Sequence, residues 1–384
     1  MVGDARVPWR AQQRSIIYLF DVIRLGLAVA VVYSHGTLVG GFGQEHFSQW
    51  VRGQTIAGSL AVLGFFGVSG FLVTRSFCLR EEPGNFVRAR LLRILPGFYF
   101  ALLLTAFVLA PLIAWTNPAA GEWTFDAAAQ FVMRNAFLAI REWNVGGVLH
   151  GLPYEGSLNG SLWSLFPESL CYGLVLVFGV LGFLKGKRTN LYLFTALLAV
   201  MHVALVVAPE RAEGLAPTLL RLTGWTPYFL AFLVGACVFA AREHFDLGWR
   251  GAVFWFLVGG TLLKFGGWKL VGPIVLPLFV LHFAYCGGIR LRGDISYGMY
   301  VLHFPVFQLL AAMQANKLGY IGFLSLGLGI TVALATVSWV VIERPFLRMK
   351  KSAGKERRRG SGNSDRSEGR SEPFESSVTE RRLG

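Results

Sequence analysis

The chain has 384 residues, of which 54% are hydrophobic and 15% charged, and its formal net charge at pH 7 is +14. Its mean hydropathy of +0.52 argues against a soluble globular protein, because soluble domains rarely reach such values. The composition indicates a polytopic membrane protein. Its four cysteines show no metal-ligand spacing, so no metal site is expected.

About ten apolar runs, most of them near the length of a membrane-spanning helix, follow one another along the chain. They cover residues 16–39, 57–79, 94–115, 160–184, 189–208, 224–241, 251–268, 270–288, 295–313 and 321–342. The first run is itself long enough to span a bilayer, so we expect no removable signal peptide. The sequence predicts an all-α fold, a polytopic membrane helical bundle of about ten transmembrane helices, with one transmembrane domain over residues 1–350.

The basic residues predict how this bundle is oriented. If the N-terminus is cytoplasmic, most of the 36 Lys and Arg residues fall in cytoplasmic segments, as the positive-inside rule requires. Both termini are then cytoplasmic. Most of the excess positive charge then lies at the cytoplasmic surface, beside anionic membrane lipid, and we expect no nucleic-acid partner. Residues 351–384 are polar and basic and predict a disordered cytoplasmic tail.

The first apolar run carries three ionisable side chains on one helical face. Arg24 and His35 are eleven residues apart, which at about 100° per residue is about 20° beyond three full turns, with a rise of about 16.5 Å. Asp21 lies on the same face, three residues before Arg24. Such a stripe is costly against lipid and predicts a protein interior or a water-filled cavity. It is either a functional stripe or a buried Asp21–Arg24 salt bridge beside an ordinary histidine.

Two later segments carry arginines beside apolar residues. In FFGVSGFLVTR, small residues such as Ser69 allow close helix packing, and Arg75 ends the run. In FVRARLLRILPGFYF, Arg90 and Arg93 share a helix face, while Arg88 lies nearer the opposite side. These arginines predict either a cytoplasmic anchor or a phosphate cradle, since guanidinium groups bind phosphate oxygens in bidentate fashion.

Single ionisable residues also lie inside the later runs. Glu168 follows Pro167 in LWSLFPESL, where a proline in the first helical turn, or at a kink, aims the carboxylate into a cavity. It is either the partner of an arginine or a proton acceptor tuned by burial. His303 lies inside the ninth run. Glu343 and Arg344 are expected to cap the last run at the cytoplasmic surface in a structural role.

Taken in order, these segments resemble acyltransferase family 3, the multi-pass bacterial membrane O-acyltransferases. The resemblance rests on six motifs between residues 21 and 348. They are D-x-x-R followed by His35, FF-x-x-SGFL, R-x-R-x-x-R-I-x-P, LWSL-x-x-E, ISY-x-x-Y-x-LHFP and ERPF-x-R. Each motif is weak alone, but six in this order are specific.

The resemblance implies an enzyme that moves an acyl group, usually acetyl, from cytoplasmic acyl-CoA to a hydroxyl of a cell-surface glycan or lipid-linked saccharide. Acyl-CoA (acetyl-CoA) would be a donor substrate, with no bound cofactor. His35 and Glu168 would be catalytic. Acyl-CoA would bind near Arg24, Arg75, Arg88, Arg90 and Arg93, and the supporting positions would be Asp21, Ser69, Trp163 and His303.

This chain departs from the family pattern in two ways. Ser169 and Leu170 follow Glu168, where family members often carry acidic or amide residues, so no role that needs a second carboxylate there is expected. We expect no appended hydrolase-like domain of the kind some relatives carry, so a periplasmic partner transferase is expected to supply a final transfer step.

Two mechanisms and a rival function remain open at the level of sequence. His35 acts as a general base for direct transfer, or it carries the acyl group as an acyl-imidazole. The rival function is a transporter or flippase that uses the charged stripe as a substrate or proton path.

Overall fold

The computed structural model describes residues 9–80, 82–184, 186–212, 223–244, 246–287, 289, 291 and 293–349. The predicted tail at 351–384 lies outside these residues. Throughout the described ranges the regular structure is helical and no strand occurs. The predicted all-α class is therefore confirmed.

The first half of the chain contains six α-helices before the predicted fourth run. They are α1 (Trp9–Val39), α2 (His46–Trp50), α3 (Ala57–Arg80), α4 (Pro83–Leu104), α5 (Ala110–Thr116) and α6 (Phe125–Asn135). A π-helical turn, Thr105–Leu109, joins α4 to α5 in one long rod. A helix of this kind tolerates the internal Pro96 because neighbouring helices and local adjustments satisfy the freed backbone groups.

The second half begins with a 3₁₀ turn, Gly160–Ser164, that leads directly into α7. The α-helices that follow are α7 (Leu165–Val180), α8 (Arg188–Val207), α9 (Thr226–Ala240), α10 (Trp249–Phe265), α11 (Trp268–Ala284), α12 (Ser296–Ala312) and α13 (Gly319–Ser338). After α13 the helix continues through a π turn, Trp339–Glu343.

Each of the ten predicted apolar runs coincides with a helix or with a joined pair of helical segments. Within the described part of the chain, six helical segments are long and apolar enough to cross a membrane. They are Leu19–Val39, Ala57–Leu79, Pro83–Thr116, Gly160–Val180, Arg188–Val207 and Ala315–Met349. Two shorter apolar helices, Thr226–Ala240 and Trp268–Ala284, accompany them. The molecule is thus a membrane helix bundle, and the total of ten spans stays a prediction.

The centre of the bundle is α12, which is buried along nearly its whole length. A helix that is apolar on all sides belongs in the interior of a large bundle. Its neighbours include α1, α4, α5 and α13. This position places the polar residues of α12 against α1, the helix that carries the predicted charged stripe.

Close backbone contact fixes α3 against α9. A Cβ atom at Gly70 would lie 1.8 Å from the carbonyl oxygen of Phe232, and one at Gly235 would lie 2.1 Å from that of Gly67. Only glycine fits at these positions, in agreement with the predicted packing role of small residues in this segment.

Candidate active site

Two histidines from α1 and α12 meet inside the bundle. His35 Nδ1 lies 2.7 Å from His303 Nε2, and the two rings stack with centroids 5.0 Å apart and planes 9° apart. His303 has no solvent exposure. The pair joins residues that the sequence analysis named separately, as the catalytic and a supporting histidine.

The hydrogen bonds of this pair determine where the protons sit. His303 Nδ1 lies 3.0 Å from the carbonyl oxygen of Met299. Because a carbonyl only accepts, Nδ1 of a neutral His303 donates and its Nε2 accepts. Nδ1 of His35 then donates to His303, and Nε2 of His35 keeps its lone pair. A general base requires this tautomer.

The Nε2 edge of His35 faces the first turn of α3. A Cβ atom at Gly58 would lie 2.9 Å from Ser34 Oγ and 3.9 Å from His35 Nε2. Glycine therefore leaves a narrow space beside the lone pair that a larger residue would occupy.

A cavity begins at the arginine-rich end of the bundle and extends toward this pair. The space between its walls, including the solvent at its mouth, is about 780 Å³. Five of the predicted site residues line it, namely Arg24, Ser69, Arg90, Arg93 and Glu168. One face of α3 supplies much of the wall, through residues spaced by helical turns. These are Val62, Phe65, Ser69 and Leu72, and Gly58 lies one turn before Val62.

Two aromatic rings stand between the cavity and the histidines. The rings of Phe65 and Tyr300 both line the cavity and are 5.7 Å apart. The Tyr300 ring lies 6.3 Å from that of His303, and its hydroxyl is 2.6 Å from Ser164 Oγ. Tyr300 therefore lies beside both the cavity and His303.

At its other end the cavity is bordered by a carboxylate that two arginines share. Asp294 Oδ2 accepts a hydrogen bond from Arg24 Nη1 at 2.5 Å and another from Arg93 Nη2 at 2.6 Å. Asp294 Oδ1 accepts from Ser296 Oγ at 2.5 Å, at the start of α12. Burial alone would raise the pKa of Asp294, but Arg24 and Arg93 hold that pKa below its usual range. The carboxylate is therefore ionised at neutral pH.

The ion pair of Arg24 corrects one of the sequence-based alternatives. Its salt-bridge partner is Asp294, 270 residues away along the chain, and not Asp21. Asp21 lies close enough to affect the same electrostatic cluster. The partners of the charged stripe on α1 therefore come from α12 and the residues just before it.

Glu343 lies in the same region, and its predicted surface position is wrong. Its side chain is only 2% exposed, with Oε2 3.9 Å from Arg93 Nη1 and Oε1 accepting from Ser338 Oγ at 3.3 Å. Glu343 is the last residue of the π turn Trp339–Glu343. The structural role expected for Glu343 agrees with these contacts.

Glu168 faces the cavity from the first turn of α7. Its Oε1 accepts hydrogen bonds from Tyr172 Oη at 2.5 Å and from Ser69 Oγ at 3.2 Å. Arg90 stacks over the Tyr172 ring, with its guanidinium carbon 5.5 Å from the ring centre. The Glu168 carboxylate is therefore oriented by hydroxyl groups on α3 and α7. Arg90 packs against the ring of Tyr172, the α7 residue that supplies one of these hydroxyls.

The other six predicted residues do not line this cavity. His35, His303 and Asp21 are placed above, and three more lie elsewhere. Arg88 is exposed on α4, on the side opposite to the shared face of Arg90 and Arg93. Arg75 lies farther along α3 than the lining residues. Trp163 packs edge-to-face on Tyr228 of α9, with ring centres 5.3 Å apart.

Sequence reasoning missed several residues that shape the site: Tyr172, Asp294, Tyr297 and Tyr300. Asp294 and Ser296 in GDISY carried a usable signal, since an acidic and a hydroxyl residue just before an apolar run are typical of a helix start. Tyr297 hydrogen-bonds the backbone of Ile94 at 2.7 Å, which only the packing of α12 on α4 reveals. Within the described ranges, no group of three or more His, Cys, Asp or Glu side chains is arranged to hold a metal ion.

Comparison with known proteins extends these observations. The acyltransferase domain of acyltransferase family 3 matches residues 17–341. An O-acetyl transferase of Shigella phage Sf6 is 29% identical over 154 residues, which are 40% of this chain and 43% of that relative. The chain therefore spans less than half the length of this relative, and no solved structure matches significantly. Because the family match runs from α1 to the final π turn, the chain belongs to acyltransferase family 3.

Proposed function

We propose that the protein is a membrane O-acyltransferase that moves an acyl group, most often acetyl, from cytoplasmic acyl-CoA to a hydroxyl of a cell-surface or exported glycan. The observation that carries the proposal is a single cavity with arginines at one end and the His35–His303 pair beyond the other. Membership of the family supports acyl transfer. The similarity to a phage O-acetyl transferase supports acetyl as the group and oxygen as the acceptor atom.

The proposed orientation follows from charge. With both termini cytoplasmic and ten spans, the arginine end of the cavity faces the cytoplasm of the bacterium and His35 lies toward the outer side. Acyl-CoA is a large polyanion that does not cross a bilayer. Its phosphates would stay at the arginine end, and the pantetheine arm would extend through the cavity toward the histidines.

In the proposed reaction, His35 Nε2 removes the proton of the acceptor hydroxyl. The oxygen attacks the thioester carbonyl, the carbon–sulfur bond breaks, and CoA leaves as the thiolate. His303 holds His35 in the tautomer that makes this step available. The alternative sequence, in which His35 first takes the acyl group and then passes it to the hydroxyl, uses the same nitrogen. Glu168, held by Ser69 and Tyr172, orients the donor or the acceptor.

The test is transfer of label from radiolabelled acetyl-CoA to a glycan extract by purified protein. We expect label in the glycan with wild-type protein and a loss of at least about 10²-fold in His35→Ala, because general-base and nucleophilic steps both need this imidazole. His150→Ala is the matched control, since His150 is an exposed loop histidine. Movement of substrate across a vesicle membrane without covalent labelling would instead support a transporter.

A further inference from the structure

Two polar contacts tie α1 to α12 at different depths. At one end Arg24 binds Asp294, and at the other end His35 meets His303. Arg24 precedes His35 by eleven residues, a rise of about 16.5 Å in a helix, and Asp294 precedes His303 by nine. The two helices therefore run in the same direction. Any sliding of α12 along α1 would disturb both contacts together.

Asp294 also connects this helix pair to α4. Its Oδ2 atom is shared by Arg24 and Arg93, and its Oδ1 atom holds the first residue of α12, Ser296. A carboxylate bound on both oxygens by three chain segments has little freedom to move. It is suited to fix the level of α12, meaning the position of this helix along its own axis relative to α1 and α4.

The three arginines that line the cavity differ in whether a carboxylate lies close enough to pair with them. Arg24 and Arg93 share the single negative charge of Asp294, and Arg93 also lies 3.9 Å from Glu343. Arg90 has no carboxylate within salt-bridge distance in the described part of the chain.

The other contacts of Arg90 leave its charge uncompensated. They are the ring faces of Phe86 and Tyr172 and a 3.5 Å approach to Ser76 Oγ. Its Nε atom is buried without a hydrogen-bond partner. Arg90 is therefore the cavity arginine best able to bind an anion.

We propose that Asp294 is a positioning residue that, through Arg24 and Arg93, fixes the level of α12 and so aligns His303 with His35. Arg24 and Arg93 act through this carboxylate, and Arg90 is the arginine that binds a donor phosphate. The inference rests on the proposed function, in which His35 is the reacting histidine.

Steady-state kinetics separate these roles. Arg90→Gln is expected to raise KM for acetyl-CoA by about 10-fold or more and to leave kcat within about threefold, because a remote phosphate is bound equally in the ground and transition states. Asp294→Asn is expected to lower kcat at least about 10-fold and to change KM for acetyl-CoA less than about threefold. A lower KM in Asp294→Asn would overturn the proposal, because the carboxylate would then compete with the donor for the arginines.

Direct binding of CoA, measured by calorimetry, tests Arg90 without any transfer. Arg90→Gln is expected to weaken binding about 10-fold. The matched control is Arg134→Gln, since Arg134 is an exposed arginine of α6. Equal affinity in wild type and Arg90→Gln would remove Arg90 from the donor site.

Proton NMR of protein labelled in its histidines reports the pair itself. The short His35–His303 hydrogen bond is expected to give a downfield imidazole N–H signal that disappears in His35→Ala. Asp294→Glu keeps the negative charge but is one methylene longer, so it is expected to fold and to shift or broaden this signal. It remains informative if Asp294→Asn does not fold. An unchanged signal and an unchanged kcat in Asp294→Glu would contradict the positioning role.

The two proposals fail in distinguishable ways. A wild-type protein that shows the signal, loses it in Asp294→Glu, and transfers no acetyl group would remove the proposed function and keep the positioning role. An active wild-type protein whose Asp294→Glu variant is indistinguishable from it would remove the positioning role alone.

Discussion

The direction of one hydrogen bond determines the chemistry available at His35. The Met299 carbonyl oxygen is the last acceptor in a chain that runs from His35 through His303. Each ring in the chain donates at Nδ1, so only His35 Nε2 has a free lone pair. An acidic partner is not needed for this, and a neutral histidine in the role of orienter leaves the buried site uncharged.

Substitution of His303 separates orientation from proton transfer. His303→Phe is expected to lower kcat by about 10²-fold, because His35 Nδ1 loses its acceptor and the ring is free to change tautomer. His303→Gln places an amide oxygen near the position of Nε2 and is expected to retain more activity. The measurements are kcat and KM for acetyl-CoA, with thermal stability as the control. Equal losses in two stable variants would show that the His303 imidazole itself carries a proton.

Gly58 is expected to limit the size of the group that reaches His35. In Gly58→Ala the new methyl would lie 2.9 Å from Ser34 Oγ and 3.9 Å from His35 Nε2, so transfer should fall, and more for butyryl than for acetyl donors. Ser34→Gly in the same protein removes the side chain that the methyl meets and is expected to restore part of the acetyl transfer. Rates with acetyl-CoA and butyryl-CoA test both statements. A single variant with unchanged rates for both donors would show that the acyl group approaches from elsewhere.

At the scale of elements, the backbone contact between α3 and α9 holds the cavity wall in place. α3 contributes the face that runs from Gly58 to Leu72, and its opposite side meets α9 so closely that no Cβ atom fits at Gly70. Packing of this kind stabilises membrane helices without a hydrophobic driving force. The position of the cavity wall therefore depends on glycines outside the site.

Gly70→Ala is expected to lower the thermal stability of the protein in detergent. The methyl would have to displace the backbone of α9, which costs at least the 1–3 kcal/mol or so that is typical of overpacked cores. Gly26→Ala is the matched control, because Gly26 lies within α1 and a Cβ atom there meets nothing within 4 Å. It should be neutral or slightly stabilising. The same melting temperature in both variants would show that α3 and α9 separate without cost.

The helices followed from the sequence, whereas the partners of the charged side chains did not. Length and hydropathy locate a membrane helix with little help from its neighbours, and a single helical period places Arg24 and His35 on one face. The ion pair was different, because Asp21 is three residues from Arg24 and Asp294 is 270. Local spacing favours the near residue, and the packing of α12 against α1 selects the distant one. Glu343 was misplaced for the same reason, since its contact with Arg93 comes from the packing of this final segment against α4.

At the scale of the whole molecule, the chemical character of the site changes from one end to the other. The cavity has arginines at one end, the rings of Phe65 and Tyr300 at the other, and a neutral histidine pair beyond them. A donor with a charged nucleotide and a thin uncharged arm matches this sequence of surroundings, with the nucleotide at the arginines and the arm beside the aromatic rings. The bundle would thus let one end of the donor stay in water while its thioester reaches an acceptor on the opposite side.

This arrangement predicts on which side of the membrane the donor must be supplied. Acetyl-CoA added outside sealed inside-out vesicles, which expose the cytoplasmic face, should support transfer at least about 10-fold faster than the same donor added to right-side-out vesicles, because the polyanion does not cross lipid. Permeabilising the right-side-out vesicles should restore the rate and serves as the control for protein content. Arg90→Gln should reduce transfer in inside-out vesicles mainly at low donor concentration. If sealed right-side-out vesicles are the faster ones, the arginine end of the cavity faces outward, and the orientation inferred from the basic residues is reversed.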